Sequence, residues 1–594
     1  MTGVPPNELS HGPVDTSSEP PPPRPSGFEP RELGYTPRKP IPWLGPVQLA
    51  ATGVRVVLAD QFGAYLDKRE LQNAFPKRIH DHSQQTEMWF DFVADLGDGF
   101  DATYSVAYLL AQPDLEIDGQ RLPRGEVLMM GGDQVYPTAS GQRYEDRCKG
   151  PYRSALPCPD GDGKEPTLYA LPGNHDWYDG LTAFLRLFAR RDGGHIGGWK
   201  VNQTRSYFAV QLPQRWWLLA IDAQGGAYLD DPQVEYFREV ATQLRPGDKV
   251  ILCTPQPSWV QATEYPRAYD TPDFFIRTII DPTGAELALM LSGDLHHYAR
   301  YAQTDGERQL VTAGGGGAYL YATHRLPGKL AVPPKESIAR RQSAIRQYKL
   351  ARTYPSKARS RALGWGVFGR MPLRNPGFLG LLGAVHTLLL LALDNSEREL
   401  LTLPIFIMVM IVFGLAMFFA AGLTTGRRRI RHYLLGIIHT LAQLALAVGG
   451  LWVWRMLPFD QWEWPLPALT AAAFYGPVAA VVASEIVALY LLVAAQFGVN
   501  VNELFAGQGI EGYKGFLRLR IAADGSLTFY AIGLDRVGKR WRANPGAEPW
   551  KPWFEPRRPL RPRLVDGPVT LFARVPTASG RASVPSPPDA HTQA

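Results

Sequence analysis

Four apolar segments between residues 378 and 497 constrain the fold of this 594-residue chain more than any other feature. They run from about Phe378 to Leu393, Leu400 to Leu423, Tyr433 to Trp454, and Leu466 to Phe497. A helix that crosses a bilayer needs about 20 apolar residues, a length that the last three segments reach and the first does not. Four such segments in succession are hard to bury in a soluble core. We therefore predict an all-α bundle of four transmembrane helices, over residues 376–498, in a multi-pass integral membrane protein.

The loops between these segments predict how the helices are oriented. The loop "TTGRRRIRHY" between the second and third segments is strongly basic, whereas the loops "DNSERE" and "PFDQWEWP" are mostly acidic. Short basic loops remain on the cytoplasmic side of a membrane. This rule places both the chain before the first helix and the C-terminus in the cytoplasm, and all four segments agree with it.

Three ionisable residues lie deep within the apolar segments: His386, His439 and Glu485. Such residues are costly in lipid and are often functional, which favours a small polar cluster that binds a lipid head group or a proton. The alternative is that they make hydrogen bonds between helices.

Residues 46–334 have the pattern of a soluble α/β domain. Short apolar runs such as "EVLMMGGD", "TLYALPG" and "ELALMLSGD" recur, and helical stretches such as "DATYSVAYLLAQ" lie between several of them. Many of the runs end in Asp, Gly or Asn. Because a rigid sheet holds the loops at its strand ends in place, catalytic residues gather at such positions.

The remaining regions flank these two. We predict a disordered, proline-rich arm over residues 1–45. The basic juxtamembrane segment 335–375 is expected to lie against anionic lipid head groups. Within 499–555, a run in which apolar residues alternate with arginines is followed by a D-G turn and a second β-rich run. This pattern predicts a β-hairpin, which could return to pair with the α/β sheet. The tail 556–594 is rich in proline and arginine, and we expect it to be loose.

Four short segments of the α/β region carry residues that could perform chemistry. They are "VADLGDG" with Asp95, "MMGGDQVYP" with Asp133, "LPGNHDWYDG" with Asn174, His175 and Asp176, and "SGDLHHYARY" with Asp294 and His296. Carboxylate and amide oxygens suit hard cations, and imidazole suits borderline ones. One carboxylate can bridge two metal ions about 4 Å apart, and the bridged water can then attack phosphorus. The pattern indicates a divalent-metal site.

The order of these motifs resembles the calcineurin-like metallophosphoesterase superfamily. The segments that carry the resemblance are "GGDQVY", "PGNHDWYDG" and "SGDLHH", and it covers roughly Asp95 to His296. A membrane-anchored subgroup that shares "GNHDWxDGL", "SYFAxQLP" and "GDLHHYxR" is more similar still. The resemblance implies a four-layer α/β/β/α sandwich with transmembrane helices behind the catalytic domain.

The resemblance also implies which residues bind metal. Asp95 and His296 would bind a first ion, and Asp133 would bridge it to a second ion that Asn174 also binds. Asp294 stands where the family has a histidine, and it could still serve as a ligand. The cofactors implied are two divalent metal ions, drawn from Mn, Fe, Zn and Mg.

Further roles follow from the same resemblance. His175 would be the catalytic imidazole, with Asp176 orienting it. Tyr136 falls where purple acid phosphatases place a tyrosine ligand, although aromatic packing is the simpler interpretation. Asp60, in "VLADQF", competes with Asp95 as the first carboxylate, but Asp95 fits a strand–helix–strand unit better.

The sequence departs from the family pattern at the second metal. Pro255 occupies the position of a lone histidine in the segment "VILCTPQPSW", and only the Gln256 amide lies nearby as a replacement. With Asp294 also replacing a histidine, we expect the second ion to bind weakly or to be a harder ion such as Mn²⁺ or Mg²⁺.

These inferences predict a membrane-bound metal-dependent phosphoesterase that hydrolyses a phosphate monoester or diester with a metal-activated water. Its partners would be the lipid bilayer and a phosphorylated substrate, for which a lipid-linked phosphate is one candidate. The net charge of +6 is modest for this length, and we expect no nucleic-acid partner. One alternative is a degenerate domain that senses a metal or a nucleotide. A transport role for the helices is disfavoured because they lack an obvious repeat or charged pathway.

Overall fold

The structure is a computed structural model that describes residues 24–51, 70–160, 165–223, 228–394 and 430–572, together with 407, 409–411 and 414. Asp60 lies outside the described residues, and so does most of the predicted second transmembrane segment.

The strands of the described residues form two large sheets and two small ribbons. In chain order they are β1 Ile79–Asp81, β2 Met88–Val93, β3 Asp114–Ile117, β4 Gln120–Pro123, β5 Val127–Met130, β6 Thr167–Ala170, β7 Gly194–Ile196, β8 Trp199–Val201, β9 Phe208–Leu212, β10 Trp216–Ala220, β11 Lys249–Cys253, β12 Glu286–Ser292, β13 Tyr298–Gln303, β14 Gln309–Ala313, β15 Lys329–Val332, β16 Arg346–Tyr354, β17 Lys514–Ile521, β18 Leu527–Leu534, β19 Trp541–Ala543, β20 Phe554–Pro556 and β21 Arg563–Leu571. One sheet has the order β1-β9-β10-β11-β12-β14-β13-β16-β15, and the other has the order β21-β18-β17-β2-β5-β6-β8-β7.

Helices cover the outer faces of the sheets and form the apolar region. The principal α-helices are Phe100–Ala111, Gly150–Ala155, Thr182–Phe188, Asp231–Ala241, Asp270–Phe275, Lys357–Gly364, Val367–Arg374, Pro376–Asp394, Ile430–Trp454, Gly476–Gln496 and Val501–Ala506. Shorter helices include Pro30–Leu33, Gly141–Tyr144, Asn174–Trp177, Ser258–Gln261 and Leu466–Thr470.

The two large sheets pack face to face. Phe90, Phe92 and Leu519 of one sheet meet Ile251 and Leu289 of the other in a continuous buried core. Because side chains alternate across each strand, the opposite faces form two further cores against helices. The layers therefore run helices, sheet, sheet, helices, and the predicted mixed α/β class is confirmed.

The chain that follows the apolar helices returns to the α/β domain. Strand β17 pairs with β2 on one side and with β18 on the other, and β21 completes that edge of the sheet. The alternation read from the sequence explains this placement, because Leu517 and Leu519 face the core between the sheets. The predicted hairpin thus forms and occupies an interior position of the sheet.

The described parts of three flanking regions are more ordered than the sequence predicts. The basic segment 335–375 contributes β16, which pairs with both β13 and β15. The tail contributes β21, and in the arm Leu33 and Tyr35 are buried in the outer helix-facing core. In β16 most side chains are partly or fully exposed, so its polar sequence gave no apolar run to mark it as a strand.

Among the described residues, three helices are long and apolar enough to cross a membrane: Pro376–Asp394, Ile430–Trp454 and Leu466–Gln496. The last of them joins Leu466–Thr470 to Gly476–Gln496 through the π-helical turn Ala471–Tyr475. His386 Nε2 lies 3.0 Å from Gln443 Oε1 on a neighbouring helix, and His439 Nε2 lies 3.2 Å from Gln443 Nε2 on its own helix. The first contact favours the interpretation that His386 makes a hydrogen bond between helices, whereas the contact of His439 lies within one helix. Glu485 is partly exposed.

Candidate functional site

Three of the predicted metal ligands converge where strands of the two sheets end. Asp95 follows β2, Asp133 follows β5, and His296 follows β12 of the facing sheet. One ligand atom from each of these residues lies within 4.8 Å of the others, and all three side chains are buried. Because β2 and β5 are parallel neighbours, their carboxyl ends deliver both aspartates to one edge.

The turns that carry the site carboxylates adopt an unusual backbone conformation. Asp95, Asp133 and Asp294 have φ angles of 61°, 50° and 68°. Few residues other than glycine adopt this left-handed region, and such strain concentrates at functional sites. The turns are also tied together, because the Asp294 N–H donates to Asp95 Oδ1 at 3.0 Å.

Two glycines allow neighbouring loops to pack directly on these carboxylates. A Cβ at Gly314 would overlap Asp95 Oδ2, and a Cβ at Gly173 would overlap Asp133 Oδ1. The glycine-rich loop 314–317 therefore encloses the site from the side of the nine-stranded sheet. Any larger residue at these two positions would displace a carboxylate.

Tyr136 is part of the site. Its hydroxyl oxygen lies 3.0 Å from Asp133 Oδ2, 2.9 Å from His296 Nε2 and 3.4 Å from Asp95 Oδ1. The ring is fully buried. Packing was the simpler interpretation from sequence, but the hydroxyl contacts all three converging residues, which favours the ligand position.

Two polar atoms of the site, Asp95 Oδ2 and His296 Nδ1, are buried without a hydrogen-bond partner in the described part of the chain. Burial raises the pKa of Asp95 well above its usual range, and the charges of Asp133 and Asp294 raise it further. Burial also holds the pKa of His296 well below its usual range. A bound cation would stabilise the carboxylates as anions, and a neutral imidazole has a lone pair to offer it. The donor set therefore fits a divalent metal.

His175 is oriented by a backbone carbonyl. Its Nδ1 lies 2.7 Å from the Pro137 oxygen, and its backbone N–H donates to Asp133 Oδ1 at 2.9 Å. The ring also contacts Tyr136, with centroids 4.4 Å apart. Among the described residues, the hydrogen bond to the His175 ring therefore involves Pro137 and not Asp176, the residue predicted to orient it.

Asp176 instead holds the surrounding loops. Its carboxylate accepts hydrogen bonds from the Gly173 N–H at 2.8 Å, from the Gln134 N–H at 3.3 Å and from the Tyr144 hydroxyl. These contacts join the segment that carries His175 to the turn that carries Asp133. Asp176 therefore supports the site through its neighbours.

Of the carboxylates and histidines predicted as ligands, Asp294 is not part of the converging group. Asp294 Oδ2 accepts a hydrogen bond from Gln261 Nε2 at 3.0 Å. Burial and the charge of Asp133 raise the pKa of Asp294 to about 7. Asn174 is half-buried at the start of its helix, and Pro255 lies beside Gly132, which precedes the Asp133 turn. The second position therefore remains a prediction.

Two residues from outside the 46–334 region approach the site, and sequence reasoning missed both. Lys514, at the start of β17, is fully buried, and its Nζ donates to the Gly512 oxygen at 3.1 Å. Burial lowers the pKa of Lys514 to about 8. Trp43, from the arm, packs edge-on against His175 with centroids 6.0 Å apart. Neither lies in a recognisable motif, so only the tertiary structure reveals them.

Asp98 links these additions to the site. Its carboxylate accepts hydrogen bonds from the Ile41 N–H at 2.9 Å, from Trp43 Nε1 at 3.3 Å and from the Tyr319 N–H at 3.1 Å. The Tyr319 ring in turn lies 4.7 Å from that of His296. The arm is thereby attached to the same turn that provides Asp95.

Comparisons with known proteins find distant structural similarity. No family model matches the chain, and no curated protein matches it. Similar solved structures include "GAP50 the anchor in the inner membrane complex of Plasmodium", at 11% identity and a TM-score of 0.32, over 46% of this chain and 93% of that one.

Two further similar structures are a purple acid phosphatase from yellow lupin (Lupinus luteus) seeds and PhoD. Both are 11% identical, with a TM-score of 0.27. The matches cover 41% and 39% of this chain, and 46% and 58% of those chains. The chain therefore spans less than two thirds of either protein. Similarities this weak carry no argument about function.

Proposed function

We propose that this chain is a membrane-bound metal-dependent phosphoesterase of the calcineurin-like superfamily. One observation carries the proposal: Asp95, Asp133 and His296 converge at the ends of strands from two sheets, and two of their buried polar atoms, Asp95 Oδ2 and His296 Nδ1, have no hydrogen-bond partner among the described residues. Buried polar atoms are rarely left without a partner, so these atoms call for a ligand. The ordered motifs in the sequence add the reaction class.

Each residue of the site has a definite task in this proposal. Asp95, Asp133 and His296 would hold one divalent ion, drawn from Mn, Fe, Zn and Mg, with Asn174 and Asp294 flanking a second position. When bound, such ions acidify a water molecule and neutralise the charge on phosphate. Tyr136 would contribute its hydroxyl oxygen at the same position.

His175 is the proposed general acid. Its Nδ1 is tied to the Pro137 carbonyl, so Nε2 is the nitrogen that can reach a substrate. When the ring is protonated, Nε2–H can donate to the oxygen of the leaving group. Trp43 and Tyr136 pack against the ring and limit the directions in which it can turn.

The membrane helices suggest where the substrate is found. A catalytic domain attached directly to such helices would work close to the lipid surface, which favours a lipid-linked phosphate monoester or diester. The basic loop between the second and third apolar segments supports a cytoplasmic position for the domain and the C-terminus.

The experiment combines metal analysis with a hydrolysis assay. Full-length protein would be purified in detergent, its metal content measured by mass spectrometry, and p-nitrophenyl phosphate and bis-p-nitrophenyl phosphate tested with each divalent ion. Asp133→Asn should lose both metal and activity. Asp305→Asn, an exposed change of the same kind, is the matched control. Wild-type protein that is inactive with every ion would refute the enzyme proposal.

A regulatory domain is the second candidate. Pro255 and the hydrogen bond between Asp294 and Gln261 both weaken the second metal position, which catalysis in this superfamily would use. The expected result for a metal-sensing domain is bound metal in the wild type, loss of that metal in Asp133→Asn, and no hydrolysis of either substrate.

A further inference from the structure

A strongly basic groove lies in the chain that follows the membrane helices. We call it the arginine groove, and it is lined by residues 534–540 and 557–563 around a volume of about 1230 Å³. Its cations are Arg536, Lys539, Arg540, Arg557, Arg558, Arg561 and Arg563, and all seven side chains are exposed. The acidic side chain among its lining residues is Asp535.

The two walls of the groove are held together by backbone hydrogen bonds. The Arg557 N–H donates to the Arg540 oxygen at 2.9 Å, and the ribbon of β19 and β20 begins directly beyond this contact. The two segments that carry the cations are therefore joined through their backbones.

Most of this positive charge is not neutralised. Lys539 pairs with Glu511 at 2.5 Å, and Arg563 pairs with Asp535 at 3.0 Å. Among the described residues, the other five arginines of the groove form no ion pair. Five such arginines repel one another, and an anionic ligand would remove that repulsion. The planar guanidinium group binds phosphate with two parallel hydrogen bonds, so phosphate is the anion that this set suits.

Both flanks of the groove reach the helices that lead to the membrane. At one flank, Glu511 pairs with both Lys539 and Arg374. Arg374 ends the helix Val367–Arg374, and the apolar helix Pro376–Asp394 begins two residues later.

At the other flank, a second groove of about 530 Å³ shares Asp535 and Arg563 with the first. Lys357 and Arg359 line it, and both belong to the helix Lys357–Gly364. The basic surface therefore borders the juxtamembrane helices on two sides.

We propose that the arginine groove binds the phosphate-bearing head groups of anionic phospholipids in the membrane that contains the helices. Basic residues close to a bilayer attract its anionic lipids, which makes a lipid a better fit than a free anion. The proposal is independent of the metal centre, because none of its cations contacts Asp95, Asp133 or His296 in the described structure.

The test uses full-length protein in a neutral detergent, with dioctanoyl phosphatidylglycerol and dioctanoyl phosphatidylcholine as probes and native mass spectrometry as the readout. The wild type should bind the anionic lipid in preference to the neutral one. The variant Arg540→Glu/Arg557→Glu/Arg558→Glu should lower anionic-lipid binding about tenfold or more. Arg191→Glu/Arg238→Glu/Lys329→Glu reverses three exposed charges outside the groove and should bind as the wild type does.

Two further measurements test whether the variants fold and whether positive charge alone is sufficient for binding. Thermal unfolding of both triple variants should match the wild type, because every changed side chain is exposed, and Arg540→Lys/Arg557→Lys/Arg558→Lys should retain most of the binding. Unchanged lipid binding by the groove variant would overturn the proposal. So would an equal loss in the control variant, or inorganic phosphate that competes as well as the anionic lipid at equal concentration.

Discussion

Asp91 and Asp95 lie four residues apart, one within β2 and the other just after it, and both carboxylates are buried in different electrostatic surroundings. Asp91 accepts two hydrogen bonds from Arg518, at 2.8 and 3.0 Å, and a third from the Gly125 N–H at 3.1 Å. Asp95 has Asp133 and Asp294 as charged neighbours, and its Oδ2 has no partner in the described structure.

The difference shows which of the two buried carboxylates receives a counter-charge from the protein itself. Arg518 is fully buried, and it neutralises Asp91 with a charge from the same protein. The buried Lys514 does not do the same for Asp95, because it interacts more strongly with Asp98 and Glu511. Among the described residues Asp95 therefore lacks a dedicated counter-charge, which supports the proposal that a bound cation supplies one. The expected consequences follow, from the largest effect to the smallest.

Removing Arg518 should have the largest effect on stability. Arg518→Met leaves Asp91 charged and buried without a counter-charge, so we expect the free energy of unfolding to fall by about 3–5 kcal/mol. Denaturant unfolding in detergent would measure it. Arg520→Met, which breaks the exposed pair with Glu87, should cost less than about 1 kcal/mol. Equal losses from the two variants would contradict the contrast.

Changing Asp95 should affect activity while leaving the fold intact. Asp95→Asn removes a proposed ligand, and we expect hydrolysis to fall more than about 100-fold, since even changes to the partners of ligands cost 10–100-fold. Stability without added metal should not fall, because a buried like charge is removed. Steady-state kinetics and unfolding curves on one preparation would test both. Substantial destabilisation would mean that Asp95 has a structural role like that of Asp91.

Metal binding should stabilise the wild type more than the variant. A divalent ion present at about 100 times its dissociation constant adds about 2.7 kcal/mol of stability. The Asp95→Asn variant should gain little, and Arg518→Met should gain as much as the wild type. Unfolding with added Mn²⁺ or with a chelator would measure these shifts. An equal gain in wild type and Asp95→Asn would place the ion elsewhere.

The polar cluster among the apolar helices should give the smallest effect. Gln443 bonds with both His386 and His439, and neutral side chains can make both contacts. We expect Gln443→Leu to cost about 0.6 kcal/mol, the average for hydrogen bonds between membrane helices. Leu441→Ala, at an exposed position of the same helix, is the control. A loss of several kcal/mol would show that this cluster carries a charge.

The sequence predicts the candidate metal ligands better than it predicts contacts between distant segments. Asp95, Asp133 and His296 each follow an apolar strand, which is a local pattern, and the structure brings them together. Arg518 pairs with a residue 427 positions away, and no local pattern reports such a contact. The order of strands, and the return of the chain after the helices, depend on packing between distant segments.

The sequence also could not predict a strand made mostly of polar residues, or the surroundings of individual side chains. Strand β16 has few buried side chains, so its sequence has no apolar alternation to distinguish it from a basic linker. The contacts of the Tyr136 hydroxyl and the Lys514 ammonium group depend on the tertiary structure. A tyrosine or a lysine in a sequence does not indicate which groups will surround it. The predicted helix between residues 400 and 423 falls mostly on residues that the structure does not describe.

The interior position of β17 has a consequence for how the protein is made. During synthesis, β2, β5 and β6 emerge before the apolar helices, and β17 emerges after them. Until the helices have entered the membrane and the hairpin has returned, β2 keeps an unpaired edge, and unpaired edges promote aggregation. Asp91 also lacks its ion-pair partner Arg518 throughout this interval. In the proposed membrane protein, insertion of the helices would precede completion of the eight-stranded sheet, and a fragment that ends at residue 375 would lack part of its own sheet.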